Sequence, residues 1–140
     1  MRQLFYDDKE SKKTSSDIQY IKGGYLENKI RYYSGDTMPE LTESISLDQI
    51  EAMDRILDQL EKNNIEYSFI QIPVTHVLYE SVTNRATFDS LISTFGTYHN
   101  FNKTVPLVDT IHFEDASHLN QLGVNEFNPL LIKYLKDSIL

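Results

Sequence analysis

Apolar residues recur at three- and four-residue spacing through Leu47, Ile50, Met53, Ile56, Leu57 and Leu60, a single stripe that predicts a helix over 46–63. Ser46 with Gln49 three residues later fits a capping box, Asp48 places negative charge in the first turn, and Asn63-Asn64 ends the run. The stripe reads as a core face. Residues 65–72 follow as a strand stopped by Pro73. Tyr67, Phe69 and Ile70 make it apolar on both faces, the pattern of a buried central strand in a parallel sheet. Phe88, Leu91, Ile92 and Phe95 mark a second helix, starting near Thr83 or Asn84 and halted by Gly96. Residues 105–108 form a further short strand, which Pro106 pushes toward an edge or a strand start. Val124, Phe127, Leu130, Leu131, Tyr134 and Leu135 mark a last helix, with a kink at Pro129 or a restart capped by Asn128. Helices alternating with strands through short links predict an α/β fold with a parallel sheet.

The first third reads differently. Residues 9–17 are a polar, charged run without periodicity, expected as a flexible arm or loop. Gly23-Gly24 and Ser34-Gly35-Asp36 are turn signals flanking 25–33, a stretch suited to a short strand or an extended excursion. The expected organisation is an irregular arm or inserted segment over 1–44 and an α/β portion over 45–140.

Size and charge narrow the choice of function. A chain of 140 residues is one domain's worth, too short for a dinucleotide enzyme with a separate substrate domain. Thirteen Lys+Arg against 21 Asp+Glu give a net charge of −8, which argues against sequence-independent binding of nucleic acid. The absence of cysteine removes disulfides, thiol nucleophiles and zinc–thiolate sites. No apolar run approaches the roughly 20 residues of a membrane span, and residues 1–8 lack the apolar core of a signal peptide. No cofactor is implied, and the compartment stays open.

In a parallel α/β sheet, sites gather at the carboxyl ends of strands. Two segments fall there: 73–76, ending in His76, and 111–120, which contains Asp115 and His118. His118 can act as a general base if its tautomer and ring orientation are held, and a carboxylate three residues earlier on a tight turn can reach the distal ring nitrogen. The plainer alternative makes Asp115 or Asn120 a helix cap and His118 a surface residue. His112, Asp115 and His118 also offer metal ligands, but a turn at Ala116-Ser117 keeps them off one face, so no metal is assigned. His76 could line the same cleft and, with Asn120, is the candidate for contact with substrate; the plainer reading of His76 is a solvated loop histidine. His99, beside Tyr98 and Phe101, reads as packing in a polar-aromatic loop.

Asp115-x-x-His118-Leu119-Asn120-x-x-Gly123 before a terminal amphipathic helix resembles the last block of the SGNH (GDSL-type) hydrolases and acyltransferases. The resemblance covers about 45–140 and looks closest to a bacterial branch related in design to cell-envelope polysaccharide O-acetylation proteins. It implies part of a three-layer α/β/α, flavodoxin-like fold. It also implies that Asp115 and His118 are two members of a Ser-His-Asp triad acting on an ester or acylated glycan. That family's nucleophile lies in a Gly-Asp-Ser block, which has no convincing match here. Gly35-Asp36-Thr37 is the nearest string, with Thr37 the hydroxyl, and Ser117 is the hydroxyl nearest in sequence. The resulting expectation is a half-site: base and orienting acid without their nucleophile, inactive as an isolated chain. The alternative is a non-catalytic α/β module that binds a glycan or protein partner. Under either reading a missing core half would favour self-association or a partner chain. An envelope acylation role would place the protein outside the cytoplasm.

Overall fold

A computed structural model describes residues 18–21 and 25–138. The chain divides into two compact units, Met1–Ile30 and Arg31–Leu140. In the first, strands β1 (Ile18–Ile21) and β2 (Tyr25–Asn28) pair antiparallel, with Ile21 opposite Tyr25. The polar run 9–17 lies outside the described residues. In the second unit, residues 31–44, grouped by sequence with the arm, belong with the α/β portion. There Tyr33 is buried and its N–H donates to the carbonyl of Phe113 at 2.9 Å.

Helix α1 (Leu47–Lys62) forms where its stripe and caps direct. The Ser46 N–H donates to Gln49 Oε1 at 2.8 Å, and the Gln49 N–H donates back to Ser46 Oγ at 3.3 Å, completing the capping box. At the other end Asn64 takes a left-handed φ of 52°. The Ile65 N–H then reaches the Leu60 carbonyl and the Asn64 N–H that of Glu61, a Schellman ending with Asn in place of Gly. Its apolar stripe is only half covered. No residue of α1 is fully buried, and Leu47 is 77% exposed.

Strand β3 (Phe69–Gln71) is shorter than the 65–72 expected and is not central. It pairs in parallel with one neighbour, β4 (Tyr98–Asn100), with Phe69 opposite Tyr98 and Gln71 opposite Asn100. The parallel partner expected at 105–108 does not form a strand. Pro106 has no N–H to give a ladder, and the Val105 and Leu107 N–H groups turn back to Phe101 and Val105. The polar and aromatic side chains of β4 carry no aliphatic strand pattern. Between the strands run α2 (His76–Ser81) and α3 (Arg85–Ser93), the crossover that parallel pairing requires. A 3-10 turn (Phe101–Lys103) and α4 (Asp109–His112) lead to α5 (Gln121–Ser138). α5 runs through Pro129 without restarting at Asn128. The carbonyl that Pro129 leaves without an intrahelical donor belongs to Asn125, on an exposed stretch where water can satisfy it. The chain is thus α/β with a two-stranded parallel sheet, and among the described residues no helix is long and apolar enough to cross a membrane.

The core sits where α5 meets β4. Phe101 packs edge-on to Phe127 at 5.0 Å and to Tyr134 at 5.6 Å, while His99 lies 4.6 Å from Tyr134. His99 is therefore a packed ring, as its aromatic neighbours suggested. Phe113, just before α5, is almost fully buried. There Gly123 answers a packing demand: a methyl group on it would overlap the carbonyl oxygen of His112 and press to 2.9 Å from Leu119 Cδ2. Because the clash is with backbone, Gly123→Ala should cost about 2 kcal/mol, an overpacking penalty of roughly 1–3 kcal/mol offset in part by alanine's better helix propensity. Leu47→Ala, at an exposed position, should change stability by less than about 0.5 kcal/mol. Urea unfolding of the two variants tests this, and equal midpoints would refute the close-approach account.

Candidate functional site

The segment 113–119 folds back on itself. Phe113 and Leu119 form an antiparallel bridge, and the Glu114 N–H donates to the His118 carbonyl at 2.8 Å. Asp115 shapes the turn inside this closure. Its Oδ1 accepts from the Ser117 and His118 N–H groups at 2.8 and 2.9 Å, the Asx arrangement that short acidic side chains favour. The same carboxylate grips the imidazole: His118 Nδ1 lies 3.0 Å from Oδ1 and 2.9 Å from Oδ2. A neutral ring then carries its proton on Nδ1 and leaves the Nε2 lone pair facing away from the acid. Partial desolvation raises the Asp115 pKa, but the Ser117 N–H, the His118 ring, the His118 N–H and its charge outweigh that and hold the carboxyl below its ordinary range.

The pair is bonded but not enclosed. The His118 side chain is 74% exposed and that of Asp115 54%. The expected common cleft is therefore absent around them, and the turn instead rests on the segment leaving β3, where the Thr75 N–H and hydroxyl both reach the Ala116 carbonyl at 3.0 and 2.8 Å. A depression of about 130 Å³ opens nearby at the carboxyl end of β3, lined by Pro73, His76, Tyr79, Asn102, Leu107 and Asp109 among others, but by neither member of the pair. His76 stands exposed on its rim.

Asn120 does not face a ligand. It is buried, its Nδ2 donates to the carbonyls of Ile111, Arg31 and Phe113, and its Oδ1 accepts from the Leu122 and Gly123 N–H groups at the start of α5. The helix-cap alternative describes it, and its expected place against substrate is withdrawn. His112 turns away from the pair, its Nδ1 accepting the Val108 N–H at 2.8 Å. Ser117 Oγ approaches His118 at Nδ1, 3.2 Å away, the nitrogen already held by Asp115. It is misplaced to lose a proton to Nε2. Thr37 lies exposed after a Gly35 turn of φ 84°, with no strand before it in the second unit.

Several residues near the strand ends were not singled out by sequence. Asp109 accepts from the His76 and Val77 N–H groups at 2.7 and 3.1 Å, and Asn102 fixes Val74 and Ile72. The only local signal was Thr75 before a short helix, a capping residue in a sequence with too few apolar positions to announce that helix. Beneath β4 lies a second polar cluster. Asp89 accepts from Lys103 Nζ at 2.6 Å, Tyr98 Oη at 2.7 Å and Asn100 Nδ2 at 3.1 Å. Burial drives the Tyr98 phenol pKa strongly upward, reinforced by its hydrogen bond to Asp89 and by that residue's charge. Desolvation acts to raise Asp89 as well, yet its bonds from Lys103, Tyr98 and Asn100 lower it overall.

No family model, curated protein or solved structure matches the chain.

The Asp89 cluster generates a pH prediction. A carboxyl lowered in the folded state stabilises fully above its unfolded value of about 3.9, and that stabilisation is lost as pH falls through the depressed folded value. Asp89→Asn should therefore cost about 1.5–3 kcal/mol at pH 7, the worth of hydrogen bonds to a charged, mostly buried group. The gap from wild type should close in acid below the Asp89 titration. A gap that persists unchanged at pH 2 would show that the charge is not its source.

Proposed function

We propose that the chain carries the base half of an SGNH-type esterase or O-acyltransferase site. Its β3–β4 pair and flanking helices would be part of a three-layer α/β/α frame. The observation that carries the reading is the Asp115 grip on His118 Nδ1 at 2.9 and 3.0 Å, which leaves Nε2 open on the far side of the ring. This is the geometry of an orienting acid and a general base. His118 Nε2 would take the proton of an attacking serine hydroxyl, and the hydroxyl oxygen would add to the carbonyl of an acyl ester. Asp115 would hold the tautomer and stabilise the imidazolium formed. The protonated ring would then return its proton to the departing alkoxide, leaving an acyl-enzyme for water or a sugar hydroxyl to resolve. His76, on the rim of the neighbouring depression, would contact the substrate. An acylated glycan of the cell envelope is the substrate class that the resemblance suggests, and the serine belongs to a segment that would lie against the exposed side of the pair.

The chemistry separates this from the second reading, a binding module that uses the depression around His76, Tyr79 and Asn102 without turnover. By itself the chain should hydrolyse a short-chain aryl ester at the buffer rate, with His118→Ala indistinguishable from it, since removing a triad's nucleophile costs about as much as removing the triad. Mixed with a polypeptide bearing a strand that ends in Gly-Asp-Ser, it should support labelling of that serine by a fluorophosphonate. His118→Ala should abolish the labelling, and Asp115→Asn should slow it by roughly 10³–10⁴-fold. Turnover by the chain alone that Thr37→Ala removes would assign the nucleophile to Thr37. Failure of every serine-bearing segment to label, with a glycan or peptide still bound, would establish the binding module instead.

A further inference from the structure

We propose that Thr75 is the positioning residue of the Asp115–His118 pair, latching the turn that carries them to the carboxyl end of β3; this rests on reading the pair as orienting acid and base. Thr75 has no exposed surface. Its N–H and its hydroxyl donate to the same carbonyl, that of Ala116, at 3.0 and 2.8 Å. Its Oγ1 in turn accepts the Leu78 N–H at 3.3 Å, the cap of α2. Ala116 lies between Asp115 and His118 in sequence, so both lone pairs of the turn's carbonyl are spent on one side chain and its backbone.

Asp115 and Thr75 order the turn in different ways. Asp115 sets its internal shape through the Ser117 and His118 N–H groups, and the Ser117 N–H shares its peptide plane with the Ala116 carbonyl that Thr75 holds. The two functional side chains are mostly exposed, so packing around them does not fix their position. Thr75 supplies the tie to the strand end, from a residue held by α2 on its other side. Without the latch the Ala116–Ser117 peptide plane is free to turn, which takes the Ser117 N–H off Asp115 and lets the carboxylate leave the Nδ1 proton.

The ring nitrogen chemistry of His118 reads this directly, without any enzymatic activity. In protein with ¹⁵N-labelled histidine, the ring shifts report which nitrogen carries the proton in the neutral form. Wild type should carry it on Nδ1, with Asp115→Asn as the reference for a ring without its acid. Thr75→Val keeps the volume and the β-branch but removes the hydroxyl from both Ala116 and Leu78, and should shift most of the His118 population toward the Asp115→Asn pattern. Thr75→Ser, which restores the hydroxyl, should return the wild-type pattern. Asp89→Asn, destabilising through a cluster that does not touch Ala116, should leave the pattern unchanged. A wild-type pattern in Thr75→Val, or an equal shift in Asp89→Asn, would overturn the positioning role while leaving the Asp–His pair intact. A wild-type ring already matching Asp115→Asn would overturn the pair and the latch together. Should Thr75→Val not fold, a through-hydrogen-bond coupling between the Thr75 amide nitrogen and the Ala116 carbonyl carbon in wild type supports the latch, and its absence overturns it.

Discussion

The buried amide of Asn120 is the point at which three stretches of chain are tied together. Its Nδ2 takes the carbonyls of Arg31, Ile111 and Phe113, its Oδ1 caps α5, and its own N–H donates to His112. Its loss would strand the Gly123 N–H that it caps in a buried position, at about 1–3 kcal/mol. The same junction explains Gly123, because α5 can start here only if its first turn passes against the His112 carbonyl. With both ends of 113–119 pinned, the segment between has little choice but a tight reversal. That reversal is what brings Asp115 under His118.

Order at the pair therefore comes from backbone ties and not from enclosure. Asp115 and Asp89 both have lowered pKa values, yet for different structural reasons. Desolvation opposes ionisation at each. At Asp115 it is overcome first by an N–H of its own turn and then by the neighbouring ring, and at Asp89 by an ammonium, a phenol and an amide gathered from separate elements. The first arrangement leaves an imidazole with one open nitrogen at the surface. The second closes on itself and braces β4 against α3.

The hydrophobic arrangement is lopsided in the same way. Phe101, Phe113 and Phe127 are buried around α5, where aromatic rings meet edge to face. α1, α2 and α3 contain no fully buried residue, although α1 and α3 carry clear apolar stripes. A stripe records what a helix is able to bury. How much it does bury depends on what is set against it, and here Ile50, Met53, Phe88 and Ile92 face one another across an open groove.

What the sequence settled by itself is local. The bounds of α1 follow from Ser46, Gln49 and Asn64, all acting within a turn of the residues they cap, and the Asp115–His118 contact follows from a three-residue spacing on a turn. Interactions of that range are written in neighbouring letters. The strand pairing was not, because β4 earns its place through Tyr98 and Asn100, whose side chains bond Asp89, Gln71 and Tyr79 instead of presenting the aliphatic pattern of a buried strand. Nor were the Thr75–Ala116 tie, the structural use of Asn120, or the exposure of the pair. Each depends on groups far apart along the chain, whose meeting is fixed only when helices and strands pack and every buried donor must find an acceptor.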